Sequence, residues 1–146
     1  SVFRHFDDMD ELYREMGEVI AAQVMPIILE PPSGASWKEK LFDIADRRAM
    51  VFETILPYRI SANLKRFQSP YLMQDYRRML RLESDSTEAH LPVSVKADVA
   101  GTRGLNVILS FQTWRLLRHD QELPFEDAKA VVRRLLSDAM SGMPED

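Results

Sequence analysis

Cysteine is absent from the 146 residues. That excludes disulfides, thiolate zinc sites and a cysteine nucleophile, and it fits a reducing compartment. Glycine is scarce, with five residues, and no Asn-Gly or Asp-Gly dipeptide occurs, so hairpins have no turn chemistry to start from. Long apolar runs are missing: the longest stretch, Val19 to Leu29, is broken by Gln23 and Pro26 and is too short to span a bilayer. No basic-then-apolar leader opens the chain, and the expectation is a cytoplasmic protein with no membrane partner. An excess of positive charge is missing too. Nineteen basic residues against 23 acidic ones leave a formal charge of −4, whereas a domain gripping nucleic acid over a wide face is normally basic. What remains is a globular balance, 45% hydrophobic and 29% charged. The length suits one domain, which buries roughly two-thirds of its unfolded surface without metal or cross-links.

Helical spacing fills nearly every window, and the fold class expected is all-α, with five or six helices. A first helix is expected from Asp8, with Asp8 as cap and Glu11 reaching back, and with Leu12, Met16, Val19 and Ile20 as its apolar face. Pro26 and the Pro31-Pro32-Ser33-Gly34 stretch end it. Ser36-Trp37-Lys38-Glu39 is a capping box that opens a second helix, with Leu41, Ile44, Ala45, Arg48, Val51, Phe52 and Ile55 on one stripe. Pro57 should end or kink it at Leu56, with a short piece leaving at an angle. Ser69-Pro70 starts a third helix, with serine at the cap and proline at the first position. Residues 84–92 read as a loop or an irregular helix end. A long helix is expected over Val93–His119, and a last one over Phe125–Met140, with Ala128, Val131, Val132, Leu135, Leu136 and Ala139 inward.

The long helix would be apolar on two sides, Leu105, Leu109 and Leu116 opposite Val107, Phe111 and Trp114. Its second stripe would need either a central position in the fold or another subunit.

Catalytic chemistry is not found. His5, His90 and His119 share no ligand spacing, and G-x-S-x-G, S-x-x-K and G-x-x-x-x-G-K-[ST] do not occur. No metal, cofactor or enzymatic activity is expected. Gly101-Thr-Arg-Gly104 matches the loop of KH RNA-binding domains, but without strands or basic charge its plainer reading is a close helix approach or a kink. One polar residue is out of place: Arg48 sits on the apolar stripe between Ile44 and Phe52, with no carboxylate a turn away. An unpaired buried arginine is costly. It either snorkels outward, pairs with an acidic group on another helix, or faces a cavity that receives something polar.

The two ends of the chain carry a resemblance. Ser1-Val-Phe-Arg-His-Phe6 followed by Asp7-Asp-Met-Asp-Glu-Leu-Tyr13 resembles the junction between the recognition helix and the next helix in the TetR (tetracycline-repressor) family of transcriptional regulators. Leu109-Ser-Phe-Gln-Thr-Trp114-Arg-Leu-Leu-Arg118, with Asp120-Gln-Glu-Leu123 and Glu126-Asp-Ala128, is similar to the last two helices of that family's regulatory domains. Arg48, Phe52, Glu53, Pro57 and Arg59 resemble a looser pattern in some of its branches. Two positions depart from the family pattern: Met9 stands for its usual lysine and Phe3 for its usual hydroxyl-bearing aromatic.

The resemblance implies three parts: residues 1–7 as the end of a truncated recognition helix, 8–25 as a connecting helix, and 26–146 as a regulatory domain that binds ligand and dimerises. It implies a homodimeric regulator, usually a repressor. Operator DNA would be read through a helix-turn-helix lying mostly ahead of Ser1, and an unknown small-molecule effector would alter the spacing of the two recognition helices. Phe3, Arg4 and His5 would be the DNA-binding remnant. Arg48, Phe52, Tyr58, Met73, Tyr76 and Phe111 would line the ligand pocket. The dimer interface would form from the last two helices, with Trp114, Leu117, Val131, Val132 and Leu135. The alternative is an all-α ligand-binding or protein-interaction domain with no DNA role.

Overall fold

The computed structural model describes residues 2–146, with side chains from Asp8 onward, and these residues form helices and turns without a strand. The first helix, α1 (Val2–Leu29), runs unbroken through Asp8, so Asp8 lies inside the helix and caps nothing. It also carries Pro26, which the sequence reading used as a stop. The carbonyl that Pro26 cannot serve belongs to Ala22, an exposed residue whose oxygen can turn to water. The inward face differs from expectation by one position. Tyr13 and Val24 are buried and Ile20 and Ile27 pack on the core, whereas Leu12 and Val19 are 55% and 61% exposed.

The second helix, α2 (Trp37–Lys65), starts as expected: Ser36 Oγ accepts from the Glu39 amide at 3.2 Å. It then passes through Pro57 without ending. Proline in a helix interior costs about 3 kcal/mol or more. Ile55, Arg59, Ala62 and Asn63 stay buried along the same side across the proline, and that burial holds the helix together. Helix α3 (Pro70–Glu88) has the expected cap, with Ser69 Oγ accepting from the Leu72 amide at 3.1 Å, and it extends through most of the segment read as a loop.

The long fourth helix is not one helix. It is divided into α4 (Val93–Ala97), α5 (Val99–Ile108) and α6 (Phe111–Arg115), followed by a π-helical turn (Leu116–Asp120). Each new start has its own cap: Asp98 Oδ1 accepts from the Gly101 amide at 3.0 Å, and Ser110 Oγ from the Thr113 amide at 3.2 Å. Asp98 and Ser110 have extended backbone, as N-caps do. A side chain at Gly101 would stand 2.3 Å from Asp98 Oδ2, so that cap needs glycine there. The break at Leu109–Ser110 also turns the second half of the segment. Leu105, Leu109, Phe111 and Trp114 all enter one core, while Val107 and Leu116 of the expected stripes stay exposed at 63% and 44%. The chain closes with α7 (Phe125–Ser141), whose Ala128, Val132, Leu136 and Met140 are buried. Helix α2 is the centre of the fold and contacts α1, α3, α6 and α7.

Candidate functional site

Arg48, Phe52, Ile55 and Arg59 repeat at helical intervals on α2, and that stripe meets α3 and the α5–α6 break. Arg59 is buried. Its Nη1 donates to Glu83 Oε1 at 2.8 Å, with side-chain exposures of 5% and 13% for the pair. The Arg59 guanidinium lies 4.5 Å from the centre of the Phe111 ring, and Phe111 meets Phe52 edge-to-face at 5.5 Å. Arg48 has no carboxylate of its own. Its Nη1 donates to the Leu109 carbonyl at 3.1 Å and its Nη2 to the Glu83 carbonyl at 2.9 Å, both main-chain atoms. Leu109 ends α5, where a helix leaves carbonyls without intrahelical donors. Arg48 therefore ties α3 to the break between α5 and α6.

This interior cluster holds two guanidinium groups and one carboxylate. Burial pulls the Arg48 pKa down to about 10; the nearby Glu83 charge opposes the shift and the Arg59 charge adds to it. Beside Arg48 lies a void of about 10 Å³ among Ala45, Ala49, Phe52, Leu109 and Trp114, room for one water. A larger cleft of about 440 Å³ lies elsewhere, between Trp37, His90, Pro92 and the C-terminal tail, open to solvent. Trp37 Nε1 and Lys38 Nζ hold that tail through the Pro144 and Met143 carbonyls at 3.1 and 2.9 Å.

Of the six residues expected in a pocket, the structure gathers Arg48, Phe52 and Phe111. Tyr76 does not line the void beside them: its hydroxyl accepts from Gln112 Nε2 at 3.3 Å, and Arg66, at the end of α2, lies over its ring at 4.4 Å. Met73 does not join. It sits near the start of α3, ten residues and about 15 Å along the helix from Glu83.

Tyr58 lies in a different place, the seam between α1 and α2. Its hydroxyl donates to the Tyr13 carbonyl at 3.1 Å, and Tyr13 Oη and Ser61 Oγ are 2.6 Å apart. Ser69 Oγ donates to Asp10 Oδ1 at 2.7 Å, and Arg14 lies over the Tyr71 ring at 4.7 Å. A Cβ at Gly17 would come within 2.9 Å of Tyr58 Oη, so α1 approaches closely because that position is bare. Burial, followed by the neighbouring Asp75, pushes the Tyr58 phenol up to about 12.

The fold takes Trp114, Leu117 and Val132, expected at a dimer interface, into the chain's own core. Trp114 Nε1 donates to Glu53 Oε2 at 3.1 Å and its ring meets Phe125 edge-on at 5.6 Å. Arg118 grips the same carboxylate and donates to the Leu123 carbonyl at 2.7 Å, which holds Glu53 below the ordinary carboxylate range. Val131 is partly buried, and Leu135 is 43% exposed. The side chains of Phe3, Arg4 and His5, the expected DNA-binding remnant, lie outside the described residues.

Arg59, Glu83 and Gln112 were missed as site residues. Arg59 carries a readable signal, since eleven residues place it three turns from Arg48 on the same stripe. Glu83 carries none, because its partners are distant in the chain. Among the described residues no cluster of three or more His, Asp or Glu side chains could hold a metal, and no helix is long and apolar enough to cross a membrane. No family model, curated protein or solved structure matches the chain.

Proposed function

We propose that this chain is the regulatory domain of a ligand-responsive, homodimeric transcriptional regulator of the TetR type. In this reading a small molecule bound in the helical interior acts on α1, and α1 passes the change to a DNA-binding unit at its N-terminal end. The observation that carries the reading is the contrast between a charged interior around Arg48, Arg59 and Glu83 and a polar, adjustable fastening of α1 at Tyr13, Tyr58, Ser61 and Ser69. A continuous α1 would carry a tilt imposed at Tyr13 directly to its first turn. In the homodimer, the exposed Leu135 and the neighbouring Val131 of α7 form the contact. Two recognition helices would then occupy successive major grooves about 34–36 Å apart.

The test is enrichment of duplexes from a random pool by the protein as its own gene encodes it, at defined salt. A palindromic pair of half-sites is expected. A folded, dimeric protein that enriches no duplex overturns the reading. One observation favours the alternative, an all-α ligand-binding domain with no DNA role: α1 passes through the junction at Asp7–Asp8 as a single helix, with no turn between a recognition helix and a connecting helix.

A further inference from the structure

We infer that Arg48 is the anchor for the carboxylate of a compact apolar acid, and that this acid is the effector class of the domain. The inference rests on the ligand-responsive reading above. Arg48 presents a full positive charge to two neutral main-chain oxygens, Leu109 O and Glu83 O. The one side-chain carboxylate in the cluster, that of Glu83, is already bonded to Arg59 at 2.8 Å. Two cations against one anion leave the interior one negative charge short. A guanidinium offers parallel donors that match a carboxylate, and such charge-assisted pairs are roughly twice as strong as bonds to neutral acceptors. A carboxylate arriving at Arg48 is therefore a better partner than the carbonyls it now holds.

The surroundings select the rest of the ligand. Next to Arg48 the void is lined by Ala45, Ala49, Phe52, Trp114 and Val132, with Ser110 as its one other polar side chain. Two small side chains leave the space and two aromatic rings make its walls apolar, so the body of the acid must be small and carry no second charge. The space admits one water as it stands, and it must widen. The place where it can do so is the Leu109–Ser110 break, which Arg48 now pins. A carboxylate that draws Arg48 away from the Leu109 carbonyl releases the pin and makes the room it needs. Binding and movement of the α5–α6 joint are then one event.

Trifluoropropionate and its uncharged amide are matched probes for the intact protein. Fluorine NMR should show the acid broadened by the protein and restored by excess propionate, with the amide unaffected. Thermal unfolding should move upward with propionate and stay fixed with sodium chloride at equal ionic strength. Arg48→Met should weaken acid binding about tenfold or more, the loss expected for a charge-assisted pair. Should Arg48→Met fail to fold, Arg48→Lys keeps the charge without the fork and should weaken the acid to a lesser degree. Equal broadening of the amide, a chloride shift as large as the propionate shift, or a folded Arg48 variant with undiminished acid binding each overturns the proposal. Acid binding by a protein that enriches no operator would leave this inference standing and remove the regulator reading. Operator binding without acid binding would do the reverse.

Discussion

Helix α2 meets its neighbours in two chemically different ways. Toward α5, α6 and α7 it presents Leu41, Ile44, Ala45, Ala49 and Phe52, all buried, against Leu105, Phe111, Val132 and Leu136. Toward α1, in the half that carries Pro57, the named contacts are hydroxyls and main-chain oxygens: Tyr58 on Tyr13 and Tyr13 on Ser61, with Ser69 of α3 on Asp10 nearby. The apolar cluster at that end holds only Tyr13, Ala62 and Leu72 as buried members. Deleting a large core side chain costs about 2–5 kcal/mol, and a single hydrogen bond contributes about 0.5–1.5. The same helix thus holds one side of the domain by apolar packing and the Pro57 half of the other largely by bonds that water can replace, while Val24, Ile20 and Ile27 keep the later half of α1 on the core.

That contrast can be broken from the strong side first. Glu83→Ala removes the carboxylate bonded to Arg59, the one side-chain anion beside the two guanidinium groups, and should cost about 3–5 kcal/mol in chemical denaturation, because it leaves buried charge uncompensated. Leu41→Ala, at a residue with 0% exposure, should cost about 2–5 kcal/mol. Should either variant unfold at the denaturant midpoint of the unaltered protein, the interior is not where stability resides.

The weak side gives smaller effects with a different signature. Tyr13→Phe should cost only about 1 kcal/mol globally, yet raise amide hydrogen exchange along α1 while exchange in α7 stays as it was. Equal acceleration in both helices would show that seam and core open together. Alkaline pH offers a milder test. The Tyr58 phenol titrates in the folded protein at about 12 against an ordinary 10.0, so the fold holds its proton more tightly than the unfolded chain does. Its contribution is fully present below pH 10 and is lost as pH rises through about 12. A Tyr58→Phe protein should lack that part of the alkaline loss.

Smallest of all, Leu135→Glu should change stability by no more than about 0.5 kcal/mol, since the side chain is exposed. In the proposed homodimer it should instead turn dimers into monomers in sedimentation. A Val132→Glu protein cannot make that distinction, because Val132 belongs to the core and the charge would unfold the protomer.

How much of this was legible follows from where each signal sits. Ser36 and Ser69 announce their helices because the cap and the amide that donates to it lie within three residues. Asp98 and Ser110 carry the same local chemistry, but an apolar spacing that runs across both made one helix the simpler reading. The caps decided the backbone, and the apolar residues then rearranged around two breaks. Proline misled in the opposite direction at Pro26, where a stop was expected, and at Pro57, where an end or a kink was expected: exposed or well-packed surroundings tolerated the missing donor and the helices continue. Arg48 stood out as misplaced. Its partners did not, since they are a carbonyl 35 residues away and another 61 residues away, and neither leaves a mark in a single sequence.

That choice of partners has a consequence for how the molecule tolerates change. The oxygens Arg48 grips belong to the main chain, so every amino acid at positions 83 and 109 supplies them. Substitution there can alter the neighbourhood without removing the acceptors. Only position 48 itself can delete the tie in one step. The tie is thus spread unevenly over the gene: a single codon answers for it, while positions 83 and 109 are held by what their own side chains do, Glu83 on Arg59 and Leu109 in the core.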